Sequence, residues 1–251
     1  MKNQYFGDVN DFLKYDLVLT LVEKLDNTKA FTFIPMLTPN DDSGDGGLIK
    51  YDGGRRRDLE RFLKRCIRDM YRNILNLRFF MASQDIEYRP YRDAEYFRHE
   101  DREEYFDSID PEMLKGSVVL IDPDNGLEVK SMRKRNGHKY LRYGELRRIY
   151  DGIDDDSLVL VYQHIPRVKR EKYFSAIAKR IRDATGAYPL CLSDNRIVFF
   201  ILAKGALDRA WQVIRRYAHE NGYAASRFDS ASLQGLSPKH WGQRGDVTRD
   251  H

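Results

Sequence analysis

Residues 117–128 read Ser-Val-Val-Leu-Ile-Asp-Pro-Asp-Asn-Gly-Leu-Glu. The first five are small or apolar without alternation, the pattern of a strand covered on both faces. Asp122-Pro123-Asp124-Asn125-Gly126 must then turn, and no paired strand follows to make a hairpin of it. An abrupt change from a buried strand to two carboxylates marks the rim of a sheet, where rigid strand ends carry functional loops. Working outward, Ser157–Tyr162 is a second buried strand ending in Gln-His-Ile-Pro, and Ala30–Leu37 is a third, closed by Thr-Pro-Asn-Asp-Asp-Ser-Gly-Asp-Gly-Gly. Tyr143–Tyr150 and Arg167–Ala184 have helical spacing between or after these strands, the latter stopped by Gly186. Tyr188–Leu192 and Ile197–Ala203 stand close enough to form an antiparallel hairpin, and Leu207–His219 is a last helix. Alternating strands and helices predict an α/β protein: a mostly parallel, three-layer, Rossmann-like sheet with a C-terminal antiparallel hairpin.

The N-terminal part adds a helix over Asp11–Leu25, with Asp11 as its cap, and a long helical pattern over Arg55–Phe80. Residues 81–115 lack clear periodicity and read as a less regular acidic insertion, and residues 223–251 as a loop-rich tail. No linker divides the 251 residues, so one domain is expected. No apolar run approaches the ~20 residues of a spanning helix. The opening Met-Lys-Asn-Gln-Tyr-Phe-Gly-Asp lacks the apolar core of a secretory signal, so a cytoplasmic protein without membrane association is expected. Cys66 and Cys191, the only cysteines, are read as core residues rather than a metal or disulfide framework. Trp211 reads as packing on the last helix, and Trp241 as either packing or base stacking.

The formal charge is +4, but its distribution is more informative. Residues 55–78, 130–148 and 165–182 carry +6, +7 and +6, whereas residues 85–112 carry −7. Three basic segments beside one acidic segment point to a polyanion-binding face and hence to nucleic acid, RNA or DNA, as partner. The segment 130–139 leaves the Asp122–Gly126 turn directly. Arg133, Lys134, Arg135 and Lys139 would then stand where the phosphates of a bound strand pass.

The opening Gly-Asp-Val-Asn-Asp-Phe-Leu-Lys-Tyr-Asp (7–16) resembles the start of the bacterial 23S ribosomal RNA adenine-N6 methyltransferase family, with Gly7, Asp11 and Lys14 matching and Tyr15 in place of a His. Asp122-Pro123 after its strand resembles that family's Asp-Pro-Pro-Tyr motif, and the element order resembles the class I S-adenosylmethionine-dependent methyltransferase fold. The Asp-Pro-Asp-Asn-Gly-Leu-Glu-Val-Lys-Ser and Tyr-Gln-His-Ile-Pro-Arg stretches resemble still more closely a group of microbial proteins from which no function follows. The methyltransferase resemblance implies S-adenosylmethionine as cofactor and methyl transfer to a base amino group. It implies that the Asp122 carboxylate and Pro123 carbonyl accept from that amino group, that Lys14 with Asn10 holds the methionine end, and that the base leaves its stack. Two positions differ: Asp124 stands for the second proline and Asn125 for the stacking aromatic. In place of the family's cofactor loop are Gly44, Gly46 and Gly47, where backbone can approach a ligand closely, with Asp85 or Glu87 as carboxylates for the ribose. His164, at the end of the neighbouring strand, is a candidate for proton transfer beside Asp122.

Two other classes fit the same segment. Asp122, Asp124 and Glu128 are hard oxygen ligands suited to Mg²⁺, which would make the chain a metal-dependent nuclease or phosphate enzyme. A methyltransferase-like fold that only binds nucleic acid is the third reading.

Overall fold

The structure is a computed structural model and describes residues 1–41, 46–51, 56–69, 71–194 and 196–233. Helix α1 (Val9–Lys24) begins where the Asp8 carboxylate accepts the amides of Asn10 and Asp11, both at 2.9 Å. Asp8 is thus the cap, and the Asp11 side chain is free for another task. Strand β1 (Ala30–Ile34) stops before Pro35, which has no amide to continue a ladder. The long helix expected over 55–80 is interrupted: α2 (Arg57–Arg68) and α3 (Leu77–Ala82) flank a segment in which the Asn73 side chain accepts the Leu75 amide. Such a local side-chain bond competes with helix continuation. Strand β2 (Glu87–Pro90) and helix α4 (Arg102–Asp107) occupy the acidic segment. Then come β3 (Ser117–Ile121), β4 (Gly126–Leu127), β5 (Tyr140–Leu141), α5 (Tyr143–Gly152), β6 (Leu158–His164) and α6 (Arg170–Thr185). The chain continues through β7 (Leu190–Ser193), β8 (Ile197–Ala203), α7 (Leu207–Asn221), β9 (Ala224–Arg227) and α8 (Ser230–Leu233). Strand β9 and helix α8 fall where the sequence predicts a loop-rich tail. Gly44, Arg55 and Trp241 lie outside the described residues.

The fold is α/β, with seven strands in the order β2-β1-β3-β6-β8-β7-β9. β2, β1, β3 and β6 run parallel, β8 is antiparallel to both β6 and β7, and β9 is antiparallel to β7. Five of the seven strands therefore point one way. Along β3 the side chains alternate between two cores: Val118 and Leu120 join the one built on α1, α2 and α7, and Val119 and Ile121 join the one built on α4, α5 and α6. That double coverage is why the strand is apolar without alternation. Among the described residues no helix is long and apolar enough to cross a membrane.

Helix α1 is buried on nearly every side, charged residues included: Asp11, Lys14 and Asp16 are each at most 5% exposed. Buried charges must be paired, and Asp16 accepts from Tyr217 Oη of α7 at 2.7 Å and from Arg56 Nε at 2.8 Å. Burial raises the pKa of Asp16 above the ordinary carboxylate value, opposed by these partners. Tyr217→Phe leaves one buried carboxylate oxygen without its donor and is expected to lower stability by about 1–3 kcal/mol. Urea denaturation of the two proteins measures this, and an unchanged midpoint would show that Asp16 does not bind α7.

Candidate functional site

Strands β1, β3 and β6 all end on one rim. Asp122 continues β3 by donating its amide to Ile34 O of β1 at 3.0 Å, and Ile121 lies opposite Val161 of β6, so Asp122 and Tyr162 come next in register. The N-terminal residues fold over this rim. The Met1 nitrogen donates to the carbonyls of Asp122 at 3.0 Å, Pro35 at 3.3 Å and Met36 at 3.4 Å. Thr38 returns its amide to Met1 O at 2.7 Å. Met36, the second residue after β1, is held at φ +41°, a left-handed conformation that costs a non-glycine residue about 1–3 kcal/mol and tends to occur at functional sites.

Beneath this segment lies a buried charge network. Lys14 Nζ donates to Asp122 Oδ2 at 2.8 Å and Asp11 Oδ1 at 2.9 Å. It also sits 4.1 Å from the Tyr162 ring centroid, and Tyr162 Oη lies 3.1 Å from His164 Nε2. Asp11 Oδ2 accepts the Gly7 amide at 3.1 Å. Burial alone would lower the pKa of the Lys14 ammonium, but Asp11 and Asp122 overcome it and hold the group well above its ordinary value. Burial drives Asp11 up to about 7 against the pull of Lys14, and raises Asp8 for the same reason. Desolvation, reinforced by Lys14, lowers His164, which is therefore mostly neutral at pH 7. Among the described residues Asp122 Oδ1, Asp124 Oδ1 and Asn10 Oδ1 are buried without a hydrogen-bond partner.

The turn after β3 is built around Gln163 of β6. Its Oε1 accepts the Leu127 amide at 2.7 Å, and its Nε2 donates to Asn125 O at 3.1 Å and His164 O at 2.9 Å. Gly126 permits this, since it lies at φ +108° and any Cβ there would fall 2.3 Å from Gln163 Oε1. The basic segment returns to its origin: β4 pairs parallel with β5, Asn125 donates to Lys139 O at 2.9 Å, and Glu128 donates to Leu141 O at 2.9 Å. Lys139 Nζ thereby stands 3.5 Å from Asp124 Oδ2, and Lys2 Nζ 3.8 Å from the same oxygen. Arg102, 3% exposed, braces the loop by donating to Gly137 O at 3.0 Å, Tyr140 O at 2.9 Å and Glu145 Oε2 at 2.9 Å.

The structure brings together Asp122, Pro123, Asp124, Asn125, His164, Lys14 and Lys139, because β1, β3 and β6 are neighbours. Lys14, expected at the methionine end of a cofactor, instead binds Asp122 and Asp11 directly. Asn10 stands on the first turn of α1. Gly46 approaches protein rather than an open rim: a Cβ there would lie 2.7 Å from Gln4 O, and its carbonyl accepts from Arg72 at 2.8 Å. Gly47 is exposed. Asp85 and Glu87 lie at the amino end of β2, opposite Ala30. They are thus at the wrong rim, and the acid at the correct end is Asp93, paired with Arg78 at 2.9 Å. Glu128 does not join Asp122 and Asp124, because its Oε1 accepts the Tyr143 amide at the start of α5 at 2.9 Å. Among the described residues no group of three or more His, Cys, Asp and Glu side chains is disposed to hold a metal ion, so the three-carboxylate Mg²⁺ site is not formed. Sequence reading missed the network role of Asp11 and Tyr162 and the brace at Arg102. The Asp8, Asp11, Lys14 spacing on one helix face was the available signal for the first.

No family model, curated protein or solved structure matches the chain.

Two outcomes follow from this geometry. A carboxyl group with a higher pKa folded than unfolded binds its proton more tightly in the native state. The stabilisation from Asp11 is therefore full below the unfolded value near ~4 and lost as pH rises through about 7. Relative to Asp11→Asn, whose amide does not titrate, the unsubstituted protein should lose urea resistance between pH 4 and pH 7.5, and a pH-independent difference would contradict the shift. Gly126→Ala should cost about 1–3 kcal/mol through backbone strain and displacement of Gln163. Chemical denaturation reads this, and a cost no larger than at an exposed glycine would show that the turn is not built on Gln163.

Proposed function

We propose that the chain transfers a methyl group from S-adenosylmethionine to a base amino group of nucleic acid, on a three-layer, Rossmann-like methyltransferase fold closed by the β7–β8 hairpin. The observation that carries this reading is the pair of buried carboxylate oxygens, Asp122 Oδ1 and Asp124 Oδ1, facing no donor at the end of β3. A buried acceptor without a partner is costly, and an amino group supplies the missing N–H donors. The rim also fits an amino-acid ammonium. The carbonyls of Pro35, Met36 and Asp122 already converge on one nitrogen, that of Met1, and they would hold the methionine end of the cofactor in its place. When bound, that cofactor supplies an electrophilic methyl group.

Asp122 Oδ1 and the Pro123 carbonyl then accept the two N–H groups of the target amine and fix its lone pair in one direction. Lys14 offsets the charge of Asp122 from the other oxygen and holds it in place. Asn125 offers a donor and an acceptor to the base edge, where a stacking ring would offer a face. His164, neutral at pH 7, is available for the proton that the amine sheds. Arg133, Lys134, Arg135 and Lys139 bind phosphates outside the rim. The binding-only reading shares this basic loop and lacks a use for the two carboxylate oxygens.

Calorimetric titration with S-adenosylmethionine, followed by transfer of its labelled methyl group to single-stranded RNA and DNA, tests the proposal. Asp122→Asn keeps the backbone carbonyl and the side-chain shape, so at a temperature where its urea midpoint shows it folded, cofactor affinity should persist while turnover falls about a hundred-fold or more. Absence of cofactor binding in the unsubstituted protein would sink methyl transfer and leave a nucleic-acid-binding module.

A further inference from the structure

The basic loop is one wall of a cleft of about 630 Å³ whose other wall comes from the segment before α4. Lys134, Arg135 and His138 line one side, and Tyr96, Arg98 and His99 line the other. The second wall belongs to the most acidic stretch of the chain, residues 85–112, yet the acids of that stretch are largely turned elsewhere. Asp93, Glu104 and Asp107 pair with Arg78, Arg92 and Arg148, and Glu87, Glu95 and Glu112 with Arg89, Arg92 and Lys115. Glu100 is the one carboxylate lining the cleft. Among the described residues Arg98, Lys134 and Arg135 have no ion-pair partner, and all three are exposed. Tyr96 presents its ring to solvent, 52% exposed, at the same mouth.

The two walls are held at a fixed separation. Phe97 donates its amide to Leu37 O beyond β1 at 2.7 Å. Gly137 packs so closely on His99 that a Cβ would fall 2.1 Å from Nδ1, and Arg102 Nη1 lies 3.3 Å from the same nitrogen. The cleft and the rim share one loop, since His138 lines the cleft and the next residue, Lys139, reaches Asp124 with its ammonium.

Unpaired cations on both walls, with an exposed aromatic ring on one of them, match a strand that alternates phosphates and bases. A duplex keeps its bases stacked and offers no face to Tyr96, whereas a single strand offers every one. We propose that this cleft binds single-stranded nucleic acid flanking the nucleotide delivered to Asp122, with Tyr96 as the stacking platform and Arg98 as the phosphate contact on the second wall. The proposal rests on the nucleic-acid reading of the rim and adds the strandedness of the substrate and the residues that select it.

The test is fluorescence anisotropy with a labelled mixed-sequence oligonucleotide of about twelve nucleotides, as single-stranded RNA, single-stranded DNA and duplex, on the full chain. The single strands should bind tighter than the duplex. Tyr96→Ala should weaken them roughly ten-fold while leaving the salt dependence unchanged, as loss of stacking does. Arg98→Ala should weaken them and also reduce the salt slope by about one. Tyr96→Phe, which keeps the ring, should bind like the unsubstituted protein. Equal affinity of Tyr96→Ala and Arg98→Ala with the parent, or preference for the duplex, would overturn the proposal. Calorimetry with S-adenosylmethionine on the same variants keeps the two readings apart, since cofactor binding can succeed or fail independently of the cleft.

Discussion

The Lys14–Asp122 ion pair is the constraint on which the site depends. It joins the first turns of α1 to the end of β3 across 108 positions of sequence, with Lys14 4% and Asp122 1% exposed. Removing either partner from such a pair leaves an uncompensated buried charge and typically costs 3–5 kcal/mol. The pair is not by itself a good way to gain stability, because apolar residues of similar volume often do as well. Its value here is positional. Lys14 occupies one oxygen of Asp122 and so determines which oxygen remains to accept from anything else. Asp11 then supplies the second carboxylate that keeps Lys14 charged in a dry environment.

β3, β6 and β8 are legible because each is buried on both faces, and continuous apolar runs have few alternative readings. β2 and β9 are not legible, because a four-residue edge strand with mixed exposure, such as Glu87-Tyr88-Arg89-Pro90, carries neither an alternation nor an apolar run. The break between α2 and α3 hides for a different reason. Its apolar spacing continues through the segment, while side chains take up the backbone groups there: Asn73 Oδ1 accepts the Leu75 amide, Asn3 Oδ1 accepts the Ile74 amide, and Asn76 Nδ2 donates to Tyr71 O. Among site residues, Asp122, Asp124 and His164 are visible as polar residues at the ends of apolar runs. Asp11 and Lys14 are visible only as helix-face neighbours, and their burial is a tertiary fact. Arg102 is invisible in sequence, since it sits among acids as one more charge and becomes a brace only when α4 meets the loop at Gly137 and Tyr140.

Glu128 shows why chemistry cannot be assigned from residue type alone. Asp122, Asp124 and Glu128 are close in sequence and all are hard oxygen donors. The backbone, however, turns at Gly126, enters β4, and spends the Glu128 carboxylate on the amide of Tyr143 at the start of α5. A carboxylate at a helix N-terminus meets unsatisfied amides and a favourable dipole, so it has a local structural use that competes with any shared metal. Asp122 and Asp124 have no such use for one oxygen each.

The charge layout limits what can enter and from which side. Inside the rim, Asp8, Asp11, Asp122 and Asp124 stand among Lys2, Lys14, Lys139 and the Met1 nitrogen, and the unpartnered oxygens of Asn10, Asp122 and Asp124 are acceptors. An entrant that brings N–H donors would satisfy them. Outside the rim, the cleft carries Lys134 and Arg135 on one wall and Arg98 with Glu100 on the other, and in the proposed function its cations face phosphates. In the proposed function the ligand carries both characters. A polynucleotide separates them naturally, with the exocyclic amine of a base at one end of the nucleotide and the phosphates at the other. Lys139, with its backbone in the loop and its ammonium beside Asp124, stands at the boundary between the two regions.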